Sequence, residues 1–449
     1  VSQPVAPVTP IHRPPARVRV VTAASLFDGH DAAINIMRRI LQAQGAEVIH
    51  LGHDRSVDEI ASAAVQEDAH AVAVSSYQGG HMEFFRYLVD RLRELGAPNV
   101  RVYGGGGGTI TREEARELEA YGVAKIFGPE DGRALGLEGM IRTIVEACDR
   151  RTIERVDDEL ERLSPADPLA VARTITWLED SGDAAAADEL RARLDARRTG
   201  RPAPVVGFTG TGGAGKSSVV DEIVRRFRRA NPERTLAILS VDPTRRRSGG
   251  ALLGDRIRMN AIHGEGVFVR SLATRRAHLA LSAAVRDAVR VLQAAGYDWI
   301  LIETAGIGQS DSEIVDLADL SVYVMTPEYG APSQLEKIDM LELADLVVLN
   351  KCDRHGAEDA LRDVRKQWKR NHAGGDRGDD AIPVYGTVAR SWTDPGLDRL
   401  YDGLVAAVAE RATGEPVTAT PPVETRGARA DVALPRQRQR YLAEIAETV

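Results

Sequence analysis

The sequence predicts an α/β protein made of two doubly wound, mostly parallel sheets joined by a helical segment. Three observations carry that expectation. Short β-rich apolar runs alternate with amphipathic helical runs in two separate stretches of the chain. An interval rich in Ala, Leu, Glu and Arg lies between them. Glycine clusters stand where several of the apolar runs stop, at the strand ends where ligands of open parallel sheets collect.

At 449 residues the chain exceeds one ordinary core, and at about 150 residues per unit it suggests roughly three. Residues 1–16 form a proline-rich lead without apolar periodicity, expected to be disordered and lacking the basic head and apolar stretch of a signal peptide. From 17 to 150, strand-like runs (Val18–Thr22, Glu47–Leu51, Ala71–Ser75, Val100–Tyr103, Ala124–Phe127) alternate with helical runs (His30–Gln44, Val57–Glu67, Glu83–Leu95, Arg112–Tyr121, Leu137–Arg150). Crossovers of this kind give a parallel sheet covered on both faces, and a flavodoxin-like strand order is expected. Residues 151–203 read as a helical linker with no evident chemistry. A second alternation fills 204–411, with strands expected at Val205–Thr209, Leu236–Ser240, Trp299–Glu303, Leu320–Met325, Leu346–Asn350 and Ile382–Tyr385. Residues 412–434 are rich in Pro, Thr and Ala; a helical pattern then opens at Gln437, with Tyr441, Leu442, Ile445 and Ala446 on one stripe. It stops at Val449 without a glycine, proline or other terminator, as a helix cut short would.

Composition excludes several classes. No apolar run approaches the ~18 residues needed to span a bilayer. The net charge of -8 argues against a general nucleic-acid binder. Cys148 and Cys352 are the only cysteines, far apart and without metal-ligand spacing, which fits a reducing cytoplasm. Arg225, Arg226, Arg228 and Arg229 are expected on a solvated face, Arg245 to Arg247 on a solvated face or flanking a phosphate, and His50 and His53 in a loop.

The pattern GTGGAGKS, Gly210 to Ser217, matches G-x-x-x-x-G-K-[ST] between a strand and the helix predicted over Val219–Arg228. Gly213, Ala214, Gly215 and Ser218 belong to the same cage, whose main-chain N–H groups curl around phosphate oxygens at a helix N-terminus. Lys216 is expected to reach the β- and γ-phosphates and Ser217 to offer its hydroxyl to Mg²⁺. Downstream, Asn350-Lys351-Cys352-Asp353 follows an apolar run. Asp353 can accept two hydrogen bonds from the N1–H and amine edge of guanine, which adenine lacks, so GTP is expected over ATP. Between these motifs, Val241, Asp242, Asp255, Glu303 and Thr304 are candidate Mg²⁺ neighbours, because a hard cation takes carboxylates and water beside substrate phosphates. Arg258 is expected to contact the phosphates and stabilise charge during phosphoryl transfer.

In the first stretch, Asp28-Gly29-His30 falls just after the first strand. A neutral imidazole is a good transition-metal ligand, and its second nitrogen needs an orienting acceptor, which Asp28 can be. Ser75 ends the third strand and the run Gly104 to Gly108 ends the fourth, with Gly104 and Gly105 nearest the strand; small residues there open a slot.

The second stretch resembles the GTPase chaperones of cobalamin-dependent acyl-CoA mutases, on TGTGGAGKSS, VDPT, SGGALLGDRIRM, ETAGIGQS and NKCD. The first resembles the cobalamin-binding domain of the mutases, whose pattern D-x-H-x-x-G, S-x-L, G-G reads here DGHDAA, SSY, GG, with Ala33 for the glycine and Tyr77 for the leucine. The order of the two resembles the front of fused isobutyryl-CoA mutases. That resemblance implies His30 as axial cobalt ligand, adenosylcobalamin and Mg²⁺ as cofactors, GTP as substrate, and a homodimer. It implies a mutase domain beyond residue 449, whose loading with cofactor the GTPase gates through segments 242–259 and 303–313. A stand-alone chaperone for a separate mutase subunit, and a cobalamin-sensing switch, are the alternatives.

Overall fold

The computed structural model describes residues 17–411 except 31, 199, 201, 245–247, 275–278, 305–313, 330–334, 337, 373–377 and 379–381. The predicted lead, the tail with its terminal helix, the arginines 245–247 and most of segment 303–313 lie outside the described residues.

The first sheet contains β1 (Arg19–Ser25), β2 (Glu47–Arg55), β3 (Ala71–Ser75), β4 (Arg101–Gly105) and β5 (Lys125–Phe127). They alternate with α1 (Ala32–Ala43), α2 (Val57–Gln66), α3 (His81–Glu94), α4 (Arg112–Tyr121) and α5 (Pro129–Ala147). Two helix starts fall where the sequence places them, closed by the reciprocal capping boxes Ser56 with Glu59 and Thr111 with Glu114, whereas α5 opens at Pro129, well ahead of the expected Leu137. Every pairing is parallel, in the flavodoxin-like order β5-β4-β3-β1-β2. Both faces are dry: one packs Val21, Val72, Phe85 and Leu88, the other Val20, Leu41, Tyr103 and Ile144.

Three linker helices follow, α6 (Asp157–Arg162), α7 (Pro168–Asp180) and α8 (Ala184–Arg197). The second sheet contains β6 (Val205–Gly210), β7 (Leu236–Pro243), β9 (Val267–Thr274), β10 (Trp299–Thr304), β11 (Leu320–Met325), β12 (Leu346–Leu349) and β13 (Val384–Gly386), while β8 (Ala251–Leu253) lies between β7 and β9 in the chain. Its order is β13-β12-β11-β6-β10-β7-β9, again parallel throughout. Helix α9 (Lys216–Ala230) and α10 (Leu279–Ala295) pack on opposite faces of it.

Four expectations change. Strands β8 and β9 were not legible, and β8 does not join the sheet of its sequence neighbours: it adds to the first sheet beside β2, with Glu47, Val48 and Ile49 facing Ala251, Leu252 and Leu253. His50 is not a loop residue but is buried in β2, its Nδ1 3.0 Å from Thr22 Oγ1. Arg226 is not on a solvated face; it is buried against Glu222 at 2.6 Å and Asp398 at 2.8 Å, because the charged side of α9 is covered by the helix Pro395–Arg411. Nor is the linker a passive spacer, since Glu179 at the end of α7 binds Arg17, Arg19 of β1 and Arg270 of β9.

Candidate nucleotide and cobalamin sites

The phosphate-loop pattern occupies the turn from β6 into α9. Gly215, at φ 89°, is the residue before the helix, and a Cβ there would stand 2.5 Å from Asn350 Nδ2. Glycine is therefore required at this position both by backbone conformation and by close approach. Lys216 and Ser217 open α9 and are buried; Ser218, one residue further, is half-buried. Lys216 Nζ donates to the carbonyls of Gly210 at 2.9 Å and Thr211 at 3.2 Å. Gly213 is exposed with φ 75°, and Ala214 beside it is buried.

Ser217 Oγ donates to Glu303 Oε1 at 2.7 Å, so the candidate hydroxyl and the candidate carboxylate meet across the sheet. The register places Glu303 beside Ser240 and Thr304 beside Val241, with Asp242 next along β7. Val241 is buried and Asp242 half-buried at this carboxyl edge. Thr304 turns toward β6, its hydroxyl 3.0 Å from Thr209 Oγ1, where it fastens two strands. Asp255 opens a 3₁₀ turn that ends at Arg258, and the Arg258 side chain is exposed; the Asp255 side chain lies outside what is described. An oxygen-only set, a serine hydroxyl with a carboxylate beside a phosphate loop, fits a hard divalent cation.

The candidate base-reading motif is joined to the phosphate loop by one side chain. Asn350 Nδ2 donates to Ala214 O at 2.8 Å, while Oδ1 accepts from Ala389 N at 3.0 Å and Thr387 Oγ1 at 3.2 Å. Lys351 takes the left-handed conformation at φ 62°, a strain that the surrounding bonds hold in place. Cys352 N donates to Thr387 O at 3.0 Å, and Asp353 pairs with Arg390 at 2.9 Å. Sequence reading missed Thr387, Ala389 and Arg390; the signal available was the short polar stretch directly after the last strand.

At the carboxyl edge of the first sheet, Asp28 is fully buried, whereas the His30 side chain is 67% exposed. Asp28 Oδ1 accepts from the His30 N–H at 2.9 Å and stands 2.9 Å from Nδ1, and its Oδ2 accepts from Tyr77 N at 2.6 Å. Burial works against the Asp28 charge, but the N–H groups of Tyr77 and His30 outweigh it and hold the carboxyl below its usual range. With Nδ1 engaged by Asp28, a metal could reach this ring only through Nε2. Tyr77's ring lies 5.7 Å from the imidazole, centre to centre.

Beside this pair opens a slot of about 240 Å³, lined among others by Ala33, Ser75, Tyr77, Tyr103, Gly105 and Phe127. Ser75 and Gly105 are register partners, and the Ser75 hydroxyl is buried without a hydrogen-bond partner. The backbone of Gly104 lines the slot together with Gly105, Gly106 and Gly107, although a Cβ at Gly104 would point to the opposite face of the strand and strike Phe85 at 2.5 Å. An apolar slot with one orphaned hydroxyl beside an oriented, exposed imidazole fits a large planar ligand that carries a metal and a tail.

Fold and sites together define a P-loop nucleotide-binding α/β protein that carries a second ligand-binding α/β domain. Residues 171–414 match the family described as methylmalonyl Co-A mutase-associated GTPase MeaB, and residues 18–137 match the B12 binding domain. The chain belongs to that GTPase family and carries a cobalamin-binding domain ahead of it. It is 55% identical over 98% of its length to a fused isobutyryl-CoA mutase of Geobacillus kaustophilus, covering 41% of that protein. The figures for the Nocardia farcinica fused isobutyryl-CoA mutase are 53%, 98% and 41%. A putative GTPase of Caulobacter vibrioides is 37% identical over 54% of this chain and 70% of its own. The chain thus spans about two fifths of the fused relatives it matches. Among the described residues no helix is long and apolar enough to cross a membrane.

Proposed function

We propose that this chain is the cobalamin-binding and GTP-hydrolysing part of an adenosylcobalamin-dependent acyl-CoA mutase that interconverts isobutyryl-CoA and n-butyryl-CoA. Residues 17–150 bind the cofactor, 151–203 join the domains, and 204–411 form the GTPase. The mutase domain lies outside this chain, and the high identity to much longer fused relatives supports that form over a separate chaperone. The observation that carries the cofactor reading is the exposed His30 held by buried Asp28 at the mouth of the slot. His30 would ligate cobalt through Nε2, with Asp28 fixing the ring and raising its basicity, while Ser75, Gly104 and Gly105 border the tail. Bound adenosylcobalamin supplies radical chemistry by homolysis of its Co–C bond.

In the second domain, the amides of Gly213 to Ser218 hold the phosphates, and Lys216 swings from the loop carbonyls to the β- and γ-oxygens. Water attacks the γ-phosphorus and the bond to the β-phosphate oxygen breaks, giving GDP and phosphate. Arg258 offsets the charge on the transferring group. Mg²⁺ would be held by Ser217 with Asp242, Asp255 and Glu303 around it, near Val241 and Thr304. Asn350 to Asp353 select guanine, with Asp353 leaving Arg390 for the base. Differential contacts of 242–259 and 303–313 in the two nucleotide states would gate cofactor loading.

The test is calorimetry with MgGTP and absorption spectroscopy with adenosylcobalamin on the same chain. Saturable heat and a base-off, histidine-ligated spectrum are expected; no heat from guanine nucleotides, or a spectrum unchanged by His30→Ala, overturns the corresponding half. Sedimentation at twice the chain mass would bear on the expected cytoplasmic homodimer.

A further inference from the structure

The segment between the candidate Asp242 and the candidate Arg258 does not stay with its own domain. Strand β8 extends the cobalamin-binding domain's sheet, and Gly250 before it presses on that domain: a Cβ there would lie 2.2 Å from Gln42 O. The 3₁₀ turn then sends Arg256 into the interface. Arg256 Nε donates to Glu67 Oε1 at 2.9 Å, and Nη2 donates to Gln66 Oε1 at 2.7 Å and to Val269 O. Glu67, at the end of α2, is fully buried and also accepts from Ser271 N and Oγ of β9 at 3.0 and 2.9 Å. Ile257 packs on Gly52 of β2. From the other side, Asp221 of α9, the helix that opens with Lys216, accepts from Ala261 N at 2.7 Å. Residues 251–261 are therefore a strap clamped at one end to the cobalamin-binding domain and at the other to the phosphate-loop helix.

We propose that Glu67, on the cobalamin-binding domain, is a positioning residue for GTP hydrolysis, acting through Arg256 to fix the turn that carries Asp255 and Arg258. Arg256 lies between those residues in a turn too short to move one without the others. Burial pushes the Glu67 carboxyl up and the Arg256 guanidinium down, so each keeps its charge through the other. Loss of the Glu67 charge strands a buried cation, and the turn must shift to rehydrate it. The phosphate cage and the Asn350 motif, which hold the base and the diphosphate, do not touch this pair, so GDP binding is spared.

The inference rests on the reading of residues 204–411 as a GTP-hydrolysing unit, and the experiment separates the two. Steady-state GTP hydrolysis is measured on wild type, Glu67→Gln and Ser271→Ala, with Kd for a fluorescent GDP analogue and the thermal midpoint. For Glu67→Gln, kcat should fall about tenfold or more, because small misplacements of reacting groups cost that much, while Kd for GDP stays within about twofold. Ser271→Ala, which keeps the ion pair, should show the same split with a loss of about threefold and serves if Glu67→Gln does not fold. A folded Glu67→Gln, or Ser271→Ala in its place, with wild-type kcat overturns the inference and leaves the GTPase reading intact. Parallel losses in kcat and GDP affinity also overturn it, since they mark general destabilisation. A wild type that binds GDP but hydrolyses no GTP removes the underlying reading instead.

Discussion

Asn350→Ala tests whether the base-reading and phosphate-holding loops work as one unit. The side chain is buried, at 2% exposure, and makes three hydrogen bonds, to Ala214 O, Ala389 N and Thr387 Oγ1. Truncation leaves a carbonyl and an amide without that partner at positions where Ala214 and Ala389 are themselves buried. The buried Thr387 hydroxyl loses its acceptor as well; at about 1–3 kcal/mol for each of the three groups the ceiling is roughly 9 kcal/mol. Water entering the vacated space lowers this, so a stability loss of about 2–3 kcal/mol is expected in urea denaturation. The loop around Ala214 also loses its tether before nucleotide arrives. Ordering it then becomes part of binding, and GDP affinity should fall at least tenfold, about 1.4 kcal/mol, in a fluorescence titration. Asn350→Asp is the sharper control: it keeps an acceptor for Ala389 and Thr387 but sets a carboxylate oxygen against Ala214 O. Its GDP affinity should fall at least as far. If Asn350→Ala loses stability yet binds GDP within about twofold of wild type, the clamp is structural only and the argument fails.

Further outcomes follow from single contacts. Asp28→Asn should weaken cobalamin binding while the protein stays folded, because the ring loses its anionic acceptor; loss of a carboxylate that orients a ligating imidazole costs about 10–100-fold, and an unchanged titration of the histidine-ligated spectrum refutes the orienting role. Lys216→Ala should abolish GTP turnover without altering cobalamin absorption, and normal phosphate release in that variant removes the assignment of the loop. Asp353→Asn should shift preference toward xanthosine nucleotides, read by competition; undiminished GTP affinity counts against base reading there. Burial, first of all, pushes both Cys148 and Cys352 up from 9.0 to about 11. Below that value the neutral thiol dominates, so iodoacetamide at pH 8.5 should label native protein roughly 100-fold more slowly than unfolded protein. The gap should close as pH rises through the folded value; near-equal rates at pH 8.5 refute it.

The parallel sheets were legible because their strands, buried on both faces, read as continuous apolar runs such as Trp299–Ile302 and Leu346–Leu349. The phosphate loop was legible because geometry leaves its residues little choice, as the approach of Gly215 to Asn350 shows. Strand β9 was not, since Arg270 and Ser271 interrupt its apolar run, and only the tertiary partners Glu179 and Glu67 explain their burial. Strand β8 is only three residues long, and a strand of that length carries no periodicity. Its partner β2 lies some two hundred residues away, and no local pattern encodes such a choice. For the same reason Thr387 and Arg390, although visible as polar residues just after the last strand, could not be assigned to Asn350 and Asp353 from local pattern.

Four buried charges that no sequence pattern singled out share a location, and that is informative. Arg256, Arg270, Glu67 and Glu179 are all buried charges at the junction of the two sheets and the linker. A junction made only to hold two domains together would be cheaper to build from apolar residues, since burying paired charges rarely adds net stability. What paired charges add is dependence on geometry: an ion pair at 2.6 Å between Arg19 and Glu179 tolerates less sliding than a leucine contact. Glu179 takes one arginine from β1 and one from β9, so any rotation of one sheet against the other must break or re-form a buried pair. Such a joint favours discrete arrangements over continuous ones, and discrete arrangements are what a nucleotide-dependent gate on a cofactor needs. Arg270→Met, with Glu179 still held by Arg17 and Arg19, should therefore leave both ligands bound. It should weaken the effect of GTP on cobalamin affinity, measured as the ratio of cobalamin Kd with GDP to that with GTP. A ratio identical to wild type would show that the charges at this joint carry no coupling.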